Sequence, residues 1–175
     1  MANREALREL QTRLAARLQA ARGEGLSVSS WLAVESAGRF FLLPLGQSGE
    51  IFSWSGVQPV PYTQPWFLGV ANLRGSLTGV VDLAGLLGES GTRSEQALAD
   101  ASLLALNAAL DVNAALLVDR LSGLRGTDAF VSSEPPGEDA PPFFGTVYLD
   151  SQGTRWQEIN LQTLSQHPAF LSISA

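Results

Sequence analysis

The fold of this chain is decided by one stretch in its first half, Gly69-Val70-Ala71-Asn72-Leu73-Arg74-Gly75-Ser76-Leu77-Thr78-Gly79-Val80-Val81-Asp82-Leu83. The stretch is apolar and strand-like, but Asn72, Arg74 and Asp82 interrupt it. An arginine stays inside a small β domain only when a carboxylate or several carbonyls satisfy its guanidinium, because an unpaired buried charge is costly. The stretch therefore predicts a fixed polar contact in a mostly apolar β domain. Nothing in it resembles a nucleophile or a proton shuttle.

Short apolar segments separated by glycine and proline turns extend on both sides of this stretch. Residues 31–35 and 39–45 flank a glycine-containing turn, and similar segments recur in the second half of the chain. The proline-rich residues 59–65 interrupt strand pairing before Trp66 and predict a loop at a sheet edge. Polar residues at 88–100 predict a crossover loop between two similar halves. This spacing is typical of all-β barrels and not of a parallel α/β sheet.

The chain begins with a pattern typical of an amphipathic helix, predicted over residues 1–25. Leucines recur at helical spacing between arginines and glutamates, and Gly23 and Gly25 are expected to end the helix. The pattern leaves two interpretations open: the helix packs on its own β domain, or it binds a partner.

Composition limits the class of protein. The 175 residues are 45% apolar, enough for one or two compact units with a real core. The absence of cysteine excludes disulfides and zinc-thiolate sites, and a cytoplasmic location is the simplest expectation. A net charge of −6 argues against nucleic-acid binding. No run approaches the roughly 20 apolar residues that span a bilayer, so we expect membrane contact only through partners.

Three separated blocks follow one another in a recognisable order. The first joins Glu50 and Pro65 to the stretch quoted above, and the other two are Ala115-Leu116-Leu117-Val118-Asp119 and Phe143-Phe144-Gly145-Thr146 with Ile159-Asn160-Leu161-Gln162-Thr163-Leu164. Together they resemble the signature of CheW-like coupling domains, the adaptors that join bacterial chemoreceptors to a histidine kinase. The resemblance covers residues 31–170. Gly79, Ala115, the N-terminal helix and the block around Trp156 are similar to the branch that serves type IV pilus twitching motility.

This resemblance implies a fold and a function. The fold would be two five-stranded SH3-like β-barrels side by side, roughly residues 31–90 and 100–170, within a CheW-like domain over 26–175 that also has short helical turns. The protein would be a non-enzymatic cytoplasmic adaptor without cofactor or metal. It would couple the cytoplasmic tip of a methyl-accepting receptor to the regulatory domain of a CheA-type histidine kinase, in receptor arrays at the inner membrane. A flagellar or other chemosensory pathway is the alternative to twitching motility.

The resemblance places Glu50 and Arg74 on neighbouring strands, where an arginine fork can bind a carboxylate. Two interpretations carry equal weight: the pair organises a surface that docks a partner, or it braces two strands internally. The other candidates for partner binding are Trp66, Phe67, Gly69, Val70, Asn72 and Leu104. We expect Trp66 and Phe67 to be partly exposed, and Val70 and Leu104 to line a groove between the barrels.

Three further residues are expected to be structural. Gly75 permits a positive φ in the turn after Arg74. Asp82 and Asp119 each end an apolar strand and are expected to cap the turn or helix that follows.

Two competing classes of function are weaker. An enzyme would use Glu50, Asp82 and Asp119, but a carboxylate dyad needs its two members close together, and Asp82 and Asp119 lie in different halves of the chain. His167 is the single histidine, so an ordinary zinc site is not expected, and no Gly-x-Ser-x-Gly motif is present. A nucleic-acid-binding β-barrel is the third class, and the acidic composition argues against it.

Overall fold

The computed structural model describes residues 2–23, 30–89 and 93–175, and these residues form eleven strands and five α-helices. The strands are β1 Ser30–Ser36, β2 Arg39–Pro44, β3 Ser48–Ser53, β4 Phe67–Leu73, β5 Ser76–Asp82, β6 Ser102–Leu106, β7 Ala114–Val118, β8 Arg120–Gly126, β9 Phe130–Glu134, β10 Phe144–Asp150 and β11 Arg155–Ile159. The helices are α1 Ala2–Gly23, α2 Leu83–Leu86, α3 Glu95–Asp100, α4 Leu161–Gln166 and α5 Pro168–Leu171.

The strands form two mixed sheets. The six-stranded sheet has the order β8-β1-β2-β11-β10-β9, and the five-stranded sheet has the order β3-β6-β7-β5-β4. The parallel pairs are β2 with β11 and β5 with β7. The predicted all-β class is confirmed, with the correction that the sheets are open and unequal, whereas two barrels of five strands were expected.

The sheets also divide the chain differently from the expected halves, 31–90 and 100–170. The six-stranded sheet combines β1 and β2 with β8 to β11, whereas the five-stranded sheet uses the continuous run from β3 to β7. The expected boundary between residues 25 and 26 lies outside the described residues.

A central apolar core lies between the two sheets. Its fully buried members come from both sheets and from α4, among them Leu32, Phe41, Leu104, Leu116, Ile159 and Leu161. Each sheet carries a second cluster of its own, formed around Trp31 and Trp156 in the six-stranded sheet and around Leu103 and Leu117 in the five-stranded one. Strands such as β7 are therefore buried at every position, which explains their uninterrupted apolar sequence.

Helix α1 packs on its own chain. Gln11 is buried: its side-chain nitrogen donates to Ser102 Oγ at 2.6 Å, and its oxygen accepts from Ser53 Oγ at 2.5 Å. Leu14, one turn further on, is also buried. The structure therefore supports the interpretation in which this helix packs on its own β domain. None of the helices in the described parts of the chain is long and apolar enough to cross a membrane.

Candidate docking surface and a buried ion-pair network

The turn between β4 and β5 has a conformation that few sequences adopt. Arg74 has a φ of 50° and Gly75 a φ of 82°, as in a type I′ turn, where both central residues have positive φ. Asn72 stabilises the turn, because its Oδ1 accepts a hydrogen bond from the Gly75 amide at 2.9 Å. The positive φ expected at Gly75 is present, and the turn holds Arg74 in one backbone conformation.

Glu50 and Arg74 form an ion pair, with 3.0 Å between Glu50 Oε1 and Arg74 Nη1. They do not lie on neighbouring strands as expected, because β3 and β4 are the two edges of the five-stranded sheet. The contact therefore shows that this sheet curls until its edges approach each other. The Arg74 side chain is 74% exposed and that of Glu50 38%. Such a surface pair contributes at most about 1 kcal/mol to folding.

Leu77 is an exposed apolar residue that the sequence analysis missed. Its exposed fraction is 67%, and it pairs across the hairpin with the exposed Asn72. Strand alternation could have identified it, because Thr78 and Val80 point inward and Leu77 must then point outward. We call Asn72, Arg74 and Leu77 the hairpin tip. It presents an amide, a guanidinium and an apolar group together.

The beginning of β4 has a different role. Gly69 has a φ of 141°, and a Cβ there would lie 2.3 Å from the Gln58 carbonyl oxygen. Gln58 and Val70 exchange backbone hydrogen bonds of 2.7 and 2.9 Å, so Gly69 allows the preceding loop to lie on β4. Trp66 and Phe67 are half-buried against the central core. At about 3.3 Å per residue, Phe67 lies roughly 23 Å from Arg74, so these candidates do not form one site with the hairpin tip.

One candidate contact residue is incorrectly placed by the sequence analysis. Leu104 was expected to line a groove between the barrels, but its side chain is fully buried in the central core. It lies on β6, between β3 and β7, where both faces of the strand are covered. Leu104 therefore contributes to packing and offers no surface to a partner.

Arg93, which was assigned to a polar loop, joins the two aspartates that end β5 and β7. Its Nη1 lies 2.8 Å from Asp82 Oδ2 and its Nε lies 2.6 Å from Asp119 Oδ1. Only 14% of the Arg93 side chain is exposed. Asp119 Oδ2 also accepts a hydrogen bond from the Ala37 amide at 2.7 Å, which connects the network to the turn between β1 and β2. The Arg93 guanidinium thus connects the segment before α3 to the ends of β5 and β7 in the five-stranded sheet and, through Asp119, to the β1–β2 turn of the six-stranded sheet.

This network corrects the capping role expected of the aspartates. Asp82 occupies the N-cap position of α2, but its side chain accepts no hydrogen bond from the amides of that helix. Asp119 caps the β1–β2 turn and not the turn that follows β7. Asp82 and Asp119, which are far apart in sequence, instead bind the same guanidinium, that of Arg93.

The electrostatics of the network favour a structural role. Burial alone would lower the pKa of Arg93, but hydrogen bonds and charge interactions with Asp82 and Asp119 outweigh it and raise that pKa above its ordinary value. The guanidinium therefore stays protonated and pairs with both carboxylates, although its single positive charge offsets only one of the two negative charges. Neither aspartate is available as an unpaired general base. Within residues 2–23, 30–89 and 93–175, no three histidine, aspartate or glutamate side chains converge on a possible metal site.

A curled five-stranded sheet and a six-stranded sheet enclose a shared core, with an exposed hairpin tip at one end and a buried ion-pair network at another place. Together they define a β scaffold with a candidate docking surface. The family model for the CheW-like domain matches residues 30–169. The chain belongs to the CheW-like family, and it is accordingly a scaffold or adaptor protein and not an enzyme.

Two relatives refine this assignment. The chain is 34% identical over 153 residues to Protein PilI of Pseudomonas aeruginosa, a match that covers 85% of this chain and 83% of that protein, and this supports the PilI-type branch. The crystal structure of the scaffolding protein TtCheW from Thermoanaerobacter tengcongensis superposes with a TM-score of 0.64 and covers 81% of this chain and 94% of that one. At 18% identity, the second likeness shows the fold alone.

Proposed function

We propose that this adaptor couples a methyl-accepting chemoreceptor to the regulatory domain of a CheA-type histidine kinase in the pathway that controls twitching motility by type IV pili. It would act in the cytoplasm, at receptor arrays on the inner membrane. The proposal is supported by the CheW-like family match and by the similarity to Protein PilI over most of both chains.

The hairpin tip is the surface that we propose for one of these contacts. Arg74 keeps a non-glycine side chain at positive φ, and such conformations are costly and tend to be kept where they serve function. Its guanidinium is largely exposed and Leu77 lies nearby, so a partner could place a carboxylate on Arg74 and an apolar group on Leu77. Glu50 would hold the guanidinium in position. We propose the half-buried Trp66, Phe67 and Val70 as further contact residues at the other end of β4.

Arg74→Asn tests the docking role against the role of an internal brace. Asn-Gly is the preferred dipeptide of a type I′ turn, so the fold should be as stable as the wild type or slightly more stable. Loss of the guanidinium should weaken binding to the kinase regulatory domain, or to the receptor tip, by about tenfold or more. Isothermal titration calorimetry with the purified kinase regulatory domain and with the purified receptor tip measures the affinity, and urea unfolding measures the free energy of unfolding. Leu77→Ser should also lower the affinity.

The matched control is Arg155→Asn. Arg155 forms another exposed ion pair, at 2.9 Å from Glu134, with 60% of its side chain exposed. This variant makes the same change of charge elsewhere and should bind both fragments like the wild type. If the pair serves only as an internal brace, Arg74→Asn should instead lower the stability of the fold and leave the affinity for both fragments unchanged. That result would assign the Glu50–Arg74 pair to the fold alone.

The pathway is tested separately by comparing kinases. We expect tighter binding to the regulatory domain of the kinase that controls pili than to that of a flagellar kinase from the same organism. Equal or reversed affinities would favour the flagellar or another chemosensory pathway and would leave the adaptor role intact.

A further inference from the structure

The outer half of the β4–β5 hairpin extends beyond the strand that lies beside it. β5 pairs in parallel with β7 from Gly79, which is opposite Ala114, and β7 begins at Ala114. The hairpin tip therefore projects past the end of its neighbouring strand. A two-stranded projection is marginally stable by itself, so contacts near its base decide how firmly it is held.

Asn113, the residue before β7, supplies such contacts. Its backbone carbonyl accepts a hydrogen bond from the Gly79 amide at 3.1 Å. Its side-chain nitrogen donates to the Leu77 carbonyl, and its Oδ1 lies 3.2 Å from the Thr78 hydroxyl. The side chain of Asn113 thus continues the hydrogen bonding between β5 and β7 toward the hairpin tip, at a point where β7 itself has already ended.

The hairpin tip is held from two sides by contacts of different kinds. On one side, Glu50 on β3 forms the exposed ion pair with Arg74. On the other side, Asn113 binds the backbone of Leu77, the exposed apolar member of the hairpin tip. An amide–carbonyl hydrogen bond is directional, whereas an exposed ion pair is screened by salt. We therefore expect Asn113 to determine where the Leu77 side chain lies.

The segment that carries Asn113 is itself well supported. Leu110 and Val112 pack against the central core, and the Asp111 amide donates to the Ala108 carbonyl at 3.0 Å. Asn113 is exposed, so a shorter side chain there opens no cavity in the core. A contact residue is presented accurately when its supporting residues stand on rigid structure.

We propose that Asn113 is a positioning residue for Leu77. It holds the Leu77 backbone so that the Leu77 side chain meets a partner in a fixed arrangement with the Arg74 guanidinium. This inference rests on the docking role proposed for the hairpin tip. A surface that is ordered before binding loses less conformational entropy when the partner arrives. Loosening Leu77 should therefore lower the affinity although no contact with the partner is removed.

Asn113→Ala tests the proposal, and Asn107→Ala is its matched control. The Asn107 side chain also donates to a carbonyl, that of Gly46 at 3.0 Å, and also accepts a hydrogen bond, from the Ala109 amide at 2.9 Å. These bonds lie outside the hairpin. Asn113→Ala should weaken binding to the fragment that Leu77 contacts by about fivefold in isothermal titration calorimetry. Asn107→Ala should bind like the wild type, with a similar midpoint of urea unfolding in both variants.

The Leu77→Ser background separates positioning from direct contact with the partner. If Asn113 acts by placing the Leu77 side chain, Asn113→Ala should weaken binding by less than about twofold once that side chain is gone. If Asn113 itself touches the partner, the loss of about fivefold should persist in this background. Persistence of the full loss would overturn the positioning role.

Hydrogen exchange in the free protein gives a readout that needs no partner. The Gly75 amide is bonded to Asn72 Oδ1 at the hairpin tip. Its exchange should be about fivefold faster in Asn113→Ala than in the wild type, because the tip opens more often, and unchanged in Asn107→Ala. Unchanged exchange in Asn113→Ala would contradict the inference, as would equal losses of affinity in the two variants.

The same measurements distinguish this inference from the docking role on which it rests. If Arg74→Asn and Leu77→Ser lower the affinity but Asn113→Ala binds like the wild type, the hairpin tip docks a partner and the positioning role is wrong. If neither Arg74→Asn nor Leu77→Ser changes the affinity for either fragment, the docking role is wrong and the positioning role falls with it.

Discussion

Replacing Arg93 with methionine should lower the free energy of unfolding by about 3 kcal/mol, because removal of one partner leaves buried charges uncompensated. Asp82 and Asp119 would lose their shared cation, and the side chain of Asp82 is only 11% exposed. The crossover segment before α3 would also lose its tie to the ends of β5 and β7. Urea unfolding, followed by circular dichroism, measures the loss.

Two comparisons separate this effect from a general loss of surface charge. Arg155→Met removes an arginine from an exposed pair and should cost no more than about 1 kcal/mol. Adding Asp82→Asn to Arg93→Met removes one uncompensated charge and should restore part of the lost stability. Equal losses in Arg93→Met and Arg155→Met would show that the buried network contributes no more than a surface pair.

Gly69→Ala should destabilise the protein by about 3 kcal/mol or more, since backbone strain and steric overlap add. A φ of 141° is unfavourable for alanine, and its Cβ would meet the Gln58 carbonyl oxygen at 2.3 Å. The Gln58 carbonyl oxygen accepts a hydrogen bond from the amide of Val70, the residue next to Gly69, so neither segment can move aside cheaply. Thermal unfolding should show a clearly lower midpoint.

Gly153→Ala is the control for positive φ alone. Gly153 has a φ of 80°, but no other atom lies within 4 Å of a Cβ built there. The expected loss is about 1 kcal/mol, the ordinary cost of alanine in the left-handed region. If both variants lose the same amount, the close approach of Gln58 has no separate cost and the explanation of Gly69 is wrong.

The sequence predicted much of the fold because the residues that turns require are local. Gly75 lies in the turn that it was expected to form, and the alternation of short strands with glycine turns correctly indicated an all-β protein. The hydrogen bond by which Asn72 stabilises this turn was not predicted. The pairing of Glu50 with Arg74 was also anticipated, through the family resemblance and not through spacing.

What could not be predicted depends on contacts between distant segments. Arg93 lies in a polar stretch that looks like solvent-exposed loop, and only the tertiary fold brings it between Asp82 and Asp119. Leu104 lies in a strand covered on both faces, and apolar sequence alone does not distinguish such a strand from one that lines a groove.

The six-stranded sheet combines strands from the two ends of the chain, and this affects how the protein folds during translation. Strand β2 pairs with β11, which begins roughly 110 residues later, so at translation rates of about 5–20 residues per second the first hairpin waits some 6–20 s for its neighbour. During that interval Phe41 and Leu43 lack their final cover, whereas β3 to β7 can assemble from contiguous chain. We therefore expect the nascent polypeptide to depend on chaperones until its last hairpin leaves the ribosome, and refolding to be slow for a domain of this size.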